Sequence, residues 1–329
     1  MARRVFSGIQ PTGAIHIGNY LGAVRNWARL QDQIDSYFCI VDYHAVTIPY
    51  DPREMPTRVF EAAVDLLASG IDPQKCTFFI QSYVPEHTEL CWIFNSFAPL
   101  GALERMTQFK EKRDQFRESV NAGLFTYPVL QAADILLYKA DLVPVGEDQL
   151  QHLELCRDIA RRFNYRFGAA FPEPEAELTP AARIMALNDP TRKMSKSIPG
   201  SYVNLSDSDD AIRRAIRTAV TDVGPRGAEM SSGVANLFTL LAAFSAPETM
   251  ARFRNEYDAG TLRYVDLKNQ LAEDLVRAIA PIRARREELM AHPERVWQIM
   301  DAGAERARAI AVQTMAEVRE KMGLRRGGR

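Results

Sequence analysis

Two lysines, Lys193 and Lys196, stand three positions apart and alternate with Ser195 and Ser197. Pro190 on one side and Pro199-Gly200 on the other bound the stretch. Ammonium groups packed this closely among hydroxyls suit a polyphosphate whose charge grows as a phosphoanhydride breaks. The same composition also fits an ordinary solvated basic loop. Near the other end of the chain, Gly8-Ile9-Gln10-Pro11-Thr12-Gly13 leads into His16-Ile17-Gly18-Asn19. A helix starting there presents free N–H groups and the positive end of its dipole to an anion. Gly18 lets a flat base or a phosphate lie close to the backbone, and His16 and Asn19 offer donors. A plain strand–loop–helix turn with a cap is the bland alternative.

A third pattern is Tyr127-x3-Gln131-x2-Asp134. Offsets of four and three put all three side chains on one face of a helix. Their neighbours Ala132-Ala133-Ile135-Leu136-Leu137-Tyr138 are apolar, so the polar stripe points inward. An inward carboxylate needs a partner. An ammonium, a phenol or an indole N–H would serve, and so would backbone. Gly146-Glu147-Asp148-Gln149 follows an apolar run and precedes His152. Acidic residues there are either helix caps or holders of ribose hydroxyls. His44 and His87 stand alone, with no zinc spacing around them.

These residues need a frame. Arg4–Ser7, Tyr37–Val41, Thr77–Ile80 and Leu142–Val145 read as strands, largely continuous apolar runs of the buried parallel kind. Helical patterns separate them: Asn19 to about Gln33, and Asp51 to Ser69 with Pro52 in the first turn and Gly70 as stop. The β-α-β-α-β order predicts an α/β fold with a wound parallel sheet. Residues 86 to about 140 read as mostly helical, and Glu147–Phe163 as a helix. Phe171-Pro172-Glu173-Pro174-Glu175 reads as a surface connector, and Ile184–Leu187 as a final strand. Beyond 206 the patterns are helical throughout, over 207–220, 234–245, 247–257, 261–290 and 293–322.

Composition narrows the class. The chain has 329 residues, 47% hydrophobic and 25% charged, with 41 Lys and Arg against 42 Asp and Glu. That excludes disordered and fibrous chains and suggests about two domains at roughly 100–200 residues each. No run approaches the ~20 apolar residues of a membrane span. Met1-Ala2-Arg3-Arg4 is followed by no long apolar core, so export is not expected and a cytoplasmic location is. Cys39, Cys76, Cys91 and Cys156 are scattered and read as reduced core thiols. Residues 251–329 hold 16 Lys and Arg against 12 Asp and Glu, and Arg325, Arg326 and Arg329 end the chain. A basic surplus fits a polyanion such as RNA, or simply a solvated helix face.

Taken together, Gln10-Pro11-Thr12-Gly13, His16-Ile17-Gly18-Asn19 and Lys193-Met194-Ser195-Lys196-Ser197 resemble the two signatures of class I aminoacyl-tRNA synthetases. The strings Phe6–Gly13, Arg105-Met106-Thr107-Gln108-Phe109-Lys110, Ala132–Tyr138 and Val143–Gln149 are similar to the bacterial tryptophanyl-tRNA synthetase family. The resemblance covers nearly the whole chain and is densest over residues 5–200. It implies a Rossmann-like catalytic domain over 1–205 with a helical insertion at about 86–140. A helical anticodon-recognition domain over 206–329 would follow. It also implies a homodimer whose substrates are ATP, L-tryptophan and tRNA(Trp).

Carried over residue by residue, the resemblance places Gln10, Pro11, Thr12, His16, Gly18 and Asn19 on ATP. Gly146, Glu147, Asp148 and the Ile184 backbone would hold the adenosine. Lys193, Met194, Ser195, Lys196 and Ser197 would hold the phosphates, with Lys112 beside them. Gln10, Lys193 and Lys196 are the catalytic candidates. Asp134, with Tyr127 and Gln131, would read the amino acid, Asp134 taking the indole N–H. Mg²⁺ would arrive with the triphosphate. No protein-bound metal or iron–sulfur cluster is expected, since no cysteine follows Cys156. Many bacterial relatives carry Met where this chain has Gln131, and Tyr-x3-Gln-x2-Asp also resembles the tyrosyl enzymes. A tyrosine ligase, a related nucleotidyltransferase and a non-catalytic relative are the alternatives. The flanking strings favour tryptophan.

Overall fold

A computed structural model describes residues 3–115, 119–178, 184–196, 198–221 and 230–324. Five strands form one sheet: β1 (Arg4–Ile9), β2 (Asp35–Ile40), β3 (Thr77–Ile80), β4 (Leu142–Val145) and β5 (Glu175–Leu178). Their spatial order is β3-β2-β1-β4-β5, and every pairing is parallel. β1 therefore has β2 on one side and β4 on the other. Strand order reverses there, and the crevice beyond the carboxyl ends of β1 and β4 is where such sheets take ligands.

The strands are apolar on both faces because helices cover both. Val5, Phe38, Ile40 and Phe78 join one core, while Phe6, Tyr37, Cys39 and Phe79 join the other. The first core takes in α2 (Met55–Ala68), and the second takes in α3 (Glu86–Asn95), α5 (Ala122–Leu137) and α6 (Leu150–Phe167). Between β1 and β2 the signature segment folds as Ile17–Asn19, a π turn at Tyr20–Val24, and α1 (Arg25–Leu30). α4 (Thr107–Gln115) lies between α3 and α5. The helical region after 206 comprises α7 (Asp209–Thr218), α8 (Ser232–Phe244), α9 (Pro247–Asp258), α10 (Tyr264–Ala291) and α11 (Pro293–Lys321).

This helical region is not a detached appendage. α10 contributes Leu271, Leu275 and Ile279 to the first core, and α11 contributes Ala307, Ala311 and Met315 to the second. At Gly303 the α11 backbone meets β3 so closely that a Cβ would stand 1.7 Å from the Phe78 carbonyl oxygen. Arg308 Nε pairs with Glu86 Oε1 at 3.1 Å, and Arg319 pairs with Glu89, which ties α11 to α3 as well.

Two local expectations are corrected. The fifth strand is Glu175–Leu178, starting at the last residue of the Pro/Glu-rich connector, while Ile184–Leu187 makes only a one-pair bridge, Met185 to Lys193. Asn236 of α8 explains this, because its amide bonds both the N–H and the C=O of Met185 at 3.0 Å and satisfies them without a strand partner. The helix expected from Asp51 starts at Met55, since Asp51 spends its carboxylate on the Arg53 N–H and guanidinium. Among the described residues, no helix is long and apolar enough to cross a membrane. All four cysteines are free, and Cys39, Cys76 and Cys156 are buried.

Candidate active site

A cleft of about 400 Å³ opens at the β1/β4 crevice. Its walls bring together Gly8 and Gln10 from the end of β1, Asn19, Lys193, Tyr127, Gln131 and Asp134 from α5, and Gly146 after β4. Segments 10–19 and 193–196, far apart in sequence, thus meet at one site.

The loop after β1 turns on Gly13, whose φ of +97° lies where side chains are disfavoured. Residues 15–17 are then clamped against 203–205: Leu205 N donates to Ile15 O, Ile17 N donates to Val203 O, and His16 pairs with Asn204. His16 caps the helical turn by accepting from the Asn19 N–H at 3.2 Å. Its other surroundings are cationic. Burial first, then the charges of Lys196 and Lys193, push the His16 imidazole down to about 4.

Residues 184–194 fold back on themselves, Met194 N donating to Ile184 O at 3.0 Å and Ala186 N to Arg192 O at 2.8 Å. Met194 is buried, and its sulfur lies 3.4 Å from where a Gly18 Cβ would be. The tighter approach is to the His16 ring, whose Cε1 would stand 2.9 Å from that Cβ. Ser201 Oγ donates to the Ser195 carbonyl at 2.6 Å, and Lys196 Nζ donates to the Thr12 carbonyl at 3.3 Å. Burial lowers the Lys196 ammonium, and the nearby Asp65 carboxylate partly restores it.

The stripe on α5 points inward. Asp134 is 1% exposed and is held by side chains from three other elements. Its Oδ1 faces Gln81 Nε2 at 2.7 Å and His87 Nδ1 at 2.6 Å, and its Oδ2 faces His44 Nε2 at 2.7 Å. His87 Nε2 lies 2.7 Å from the Tyr138 hydroxyl. With Asp134 ionised, the proton on His87 Nδ1 is the one donated to it. Burial alone would raise Asp134, but His44 and His87 outweigh it and hold the carboxyl below the usual range. Oδ2 accepts one protein bond, from His44, and Asp134 lines the cleft. The carboxylate therefore keeps acceptor capacity toward a ligand donor.

Gln108 of α4 bridges the two halves of the cleft. It accepts from the Tyr127 hydroxyl at 3.2 Å and donates to Asp148 Oδ2 at 2.9 Å. Tyr127 also meets His152 Nε2 at 2.9 Å. Asp148 curls back over Gly146, where a Cβ would stand 2.6 Å from its Oδ1.

Of the expected site residues, Gln10, Asn19, Gly146, Lys193, Tyr127, Gln131 and Asp134 line the cleft. Pro11, Thr12, His16, Gly18, Ile184, Met194, Ser195, Lys196 and Asp148 do not line it themselves. They stand on the same loops or are bonded to residues that do. The Ile184 carbonyl accepts from the Met194 N–H. Ser197 and the side chains of Lys112 and Glu147 lie outside the described residues. Sequence reading missed Gln81, His44 and His87 as the holders of Asp134. An inward carboxylate with no neighbouring cation was the only signal for them.

The parallel sheet and its covering helices are a Rossmann-like fold of the class I type. The family model described as tRNA synthetases class I (W and Y) matches residues 2–280, and the chain belongs to that family. Within it, the chain is 48% identical over 331 residues to the tryptophan–tRNA ligase of Caldanaerobacter subterraneus subsp. tengcongensis, covering 98% of each protein. It is 45% identical to the tryptophan–tRNA ligase of Bacillus anthracis, again over 98% of each. The crystal structure of tryptophanyl-tRNA synthetase from Campylobacter jejuni, complexed with ADP and tryptophan, superposes with a TM-score of 0.84. It shares 36% identity and covers 97% of this chain and 99% of its own. The Mycoplasma pneumoniae synthetase gives 0.87 at 36% identity, over 99% of each chain.

Proposed function

We infer that this chain is a tryptophan–tRNA ligase. It joins L-tryptophan and ATP into tryptophanyl-AMP with release of pyrophosphate, then passes the aminoacyl group to tRNA(Trp). The observation that carries the reading is one cleft lined by both Lys193 and Asp134, phosphate-type chemistry at one end and a held carboxylate at the other.

The attacking group is the carboxylate of tryptophan, already ionised at neutral pH, so the enzyme needs no side-chain base. Its tasks are alignment with the α-phosphate and stabilisation of the charge that moves onto pyrophosphate. Gln10 and Asn19 stand where they can orient the nucleotide, and Lys193 and Lys196 supply positive charge for the leaving group. Asp134, kept anionic by two histidines, accepts the indole N–H, while Tyr127 and Gln131 complete that wall. Mg²⁺ enters as part of the ATP substrate. Among the described residues, no group of three His, Cys, Asp or Glu side chains is placed to hold a metal.

The helical region after 206, with its basic surplus, is the part that would meet the anticodon. Trp92 and Leu100, 79% and 67% exposed on the helical insertion, offer apolar surface for a second copy. The reaction belongs to the cytoplasm. Amino-acid-dependent exchange of pyrophosphate into ATP, run with each standard amino acid, tests the reading. Exchange is expected with tryptophan alone, and equal or greater exchange with tyrosine reverses the assignment.

A further inference from the structure

Asp65 sits on the buried face of α2 between Val64 and Leu66, its side chain 1% exposed. A carboxylate in such a place persists only when fully engaged, and an apolar residue of similar size is often the more stable choice there. Its two oxygens go in different directions. Oδ2 accepts the backbone N–H of Ile15 at 2.9 Å, and Oδ1 accepts from Arg286 Nε on α10 at 2.7 Å. Ile15 immediately precedes His16, and its carbonyl is already taken by Leu205. Both backbone groups of this one residue are thus pinned. Arg286 is itself largely buried, with Glu61 3.9 Å away. Neither Asp65 nor Arg286 lines the cleft.

We propose that Asp65 and Arg286 are positioning residues for the nucleotide half of the reaction. Resting on the function inferred above, the chain Arg286–Asp65–Ile15 holds the backbone that presents His16 and Asn19, and does so from the C-terminal helical region. The amino-acid half of the cleft depends instead on α3 and α5, so the two halves are separable by mutation. A displacement of about 1 Å in an aligned site can cost on the order of 10²-fold in rate.

The test is Arg286→Gln in the full chain. It should lower kcat/KM for ATP by about 10- to 100-fold, while tryptophan binding measured without ATP stays within about twofold. Arg286→Lys, which keeps the charge, should recover most of the loss. Amide hydrogen exchange at Ile15 is read in parallel and needs no turnover. It should speed up in Arg286→Gln while the β2 amides keep their protection, even if the wild-type chain exchanges no pyrophosphate and the function reading fails. If Arg286→Gln does not fold, Asp65→Asn carries the same measurements, since it removes the charge that holds Arg286 while keeping the size of the side chain. Unchanged ATP kinetics with unchanged Ile15 exchange in either variant overturns the proposal. So does a parallel loss of ATP and tryptophan binding that tracks a lowered Tm.

Discussion

The Lys196 ammonium reaches across 184 residues of sequence to the carbonyl of Thr12, 3.3 Å away. That contact fastens the second signature loop to the first. Holding the two loops together places their donors side by side, the arrangement that stabilises developing charge.

Lys196→Ala should reduce tryptophan-dependent pyrophosphate exchange by about 10²–10³-fold, the usual loss when one preorganised charge on the transition state is removed. Tryptophan binding, followed by equilibrium dialysis, should survive. A variant that retains near wild-type exchange excludes Lys196 from the phosphate role.

His16 carries a pH prediction. Its imidazole titrates near 4 in the folded chain against 6.5 for a free histidine. Between these values the unfolded chain binds the extra proton and the folded chain does not, so folding stability falls as pH drops through that window. Histidine NMR should show the His16 resonance titrating near 4. Lys196→Ala should move the midpoint upward, because one of the repelling charges is gone. A wild-type midpoint at or above 6 contradicts the burial described here.

Asp134→Ala should erode the preference for tryptophan over phenylalanine. A site built to accept an N–H rejects ligands lacking it by roughly 10⁴ or more, and that factor in relative kcat/KM is what the variant puts at stake. It also strands the donors of His44, His87 and Gln81, so a lower Tm should accompany the change. Intact selectivity in a folded variant removes Asp134 from the recognition of the side chain.

Gly303→Ala is a stability prediction. The added carbon would fall 1.7 Å from the Phe78 carbonyl oxygen, which is backbone of β3 and has no rotamer to escape into. Overpacking costs ~1–3 kcal/mol and occasionally more, and this site belongs at the high end. Thermal denaturation should show a clear drop. A melting curve matching the wild type would mean that α11 and β3 do not touch as described.

Much of this was legible in the sequence, for reasons tied to particular residues. Strands β1 to β4 announced themselves because a parallel sheet covered on both faces needs uninterrupted apolar runs such as Phe38-Cys39-Ile40. Glu175-Ala176-Glu177-Leu178 gave no such signal, since it is an edge strand with polar residues outward and a proline before it. Ile184–Leu187 misled in the opposite sense, because burial makes a segment apolar whether or not a strand lies beside it. The cleft was half legible. Tyr127, Gln131 and Asp134 share one helix, so a spacing rule finds them. Gln81, His44 and His87 reach Asp134 from separate elements, and no local pattern connects them. Asp65 was overlooked in a helix of good amphipathic pattern, although a lone carboxylate among Ala63, Val64, Leu66 and Leu67 was the mark of its burial.

The seat of α11 against β3 has a bearing on how the molecule is made. β3 is the outermost strand on its side of the sheet, and the helix that covers it lies more than two hundred residues downstream. While the nascent chain is still emerging from the ribosome, that strand stands uncovered with its hydrogen-bonding rim open to other chains. Synthesis of the sheet thus finishes long before its shielding does, and the interval between the two is when a growing polypeptide of this kind most needs a chaperone's company.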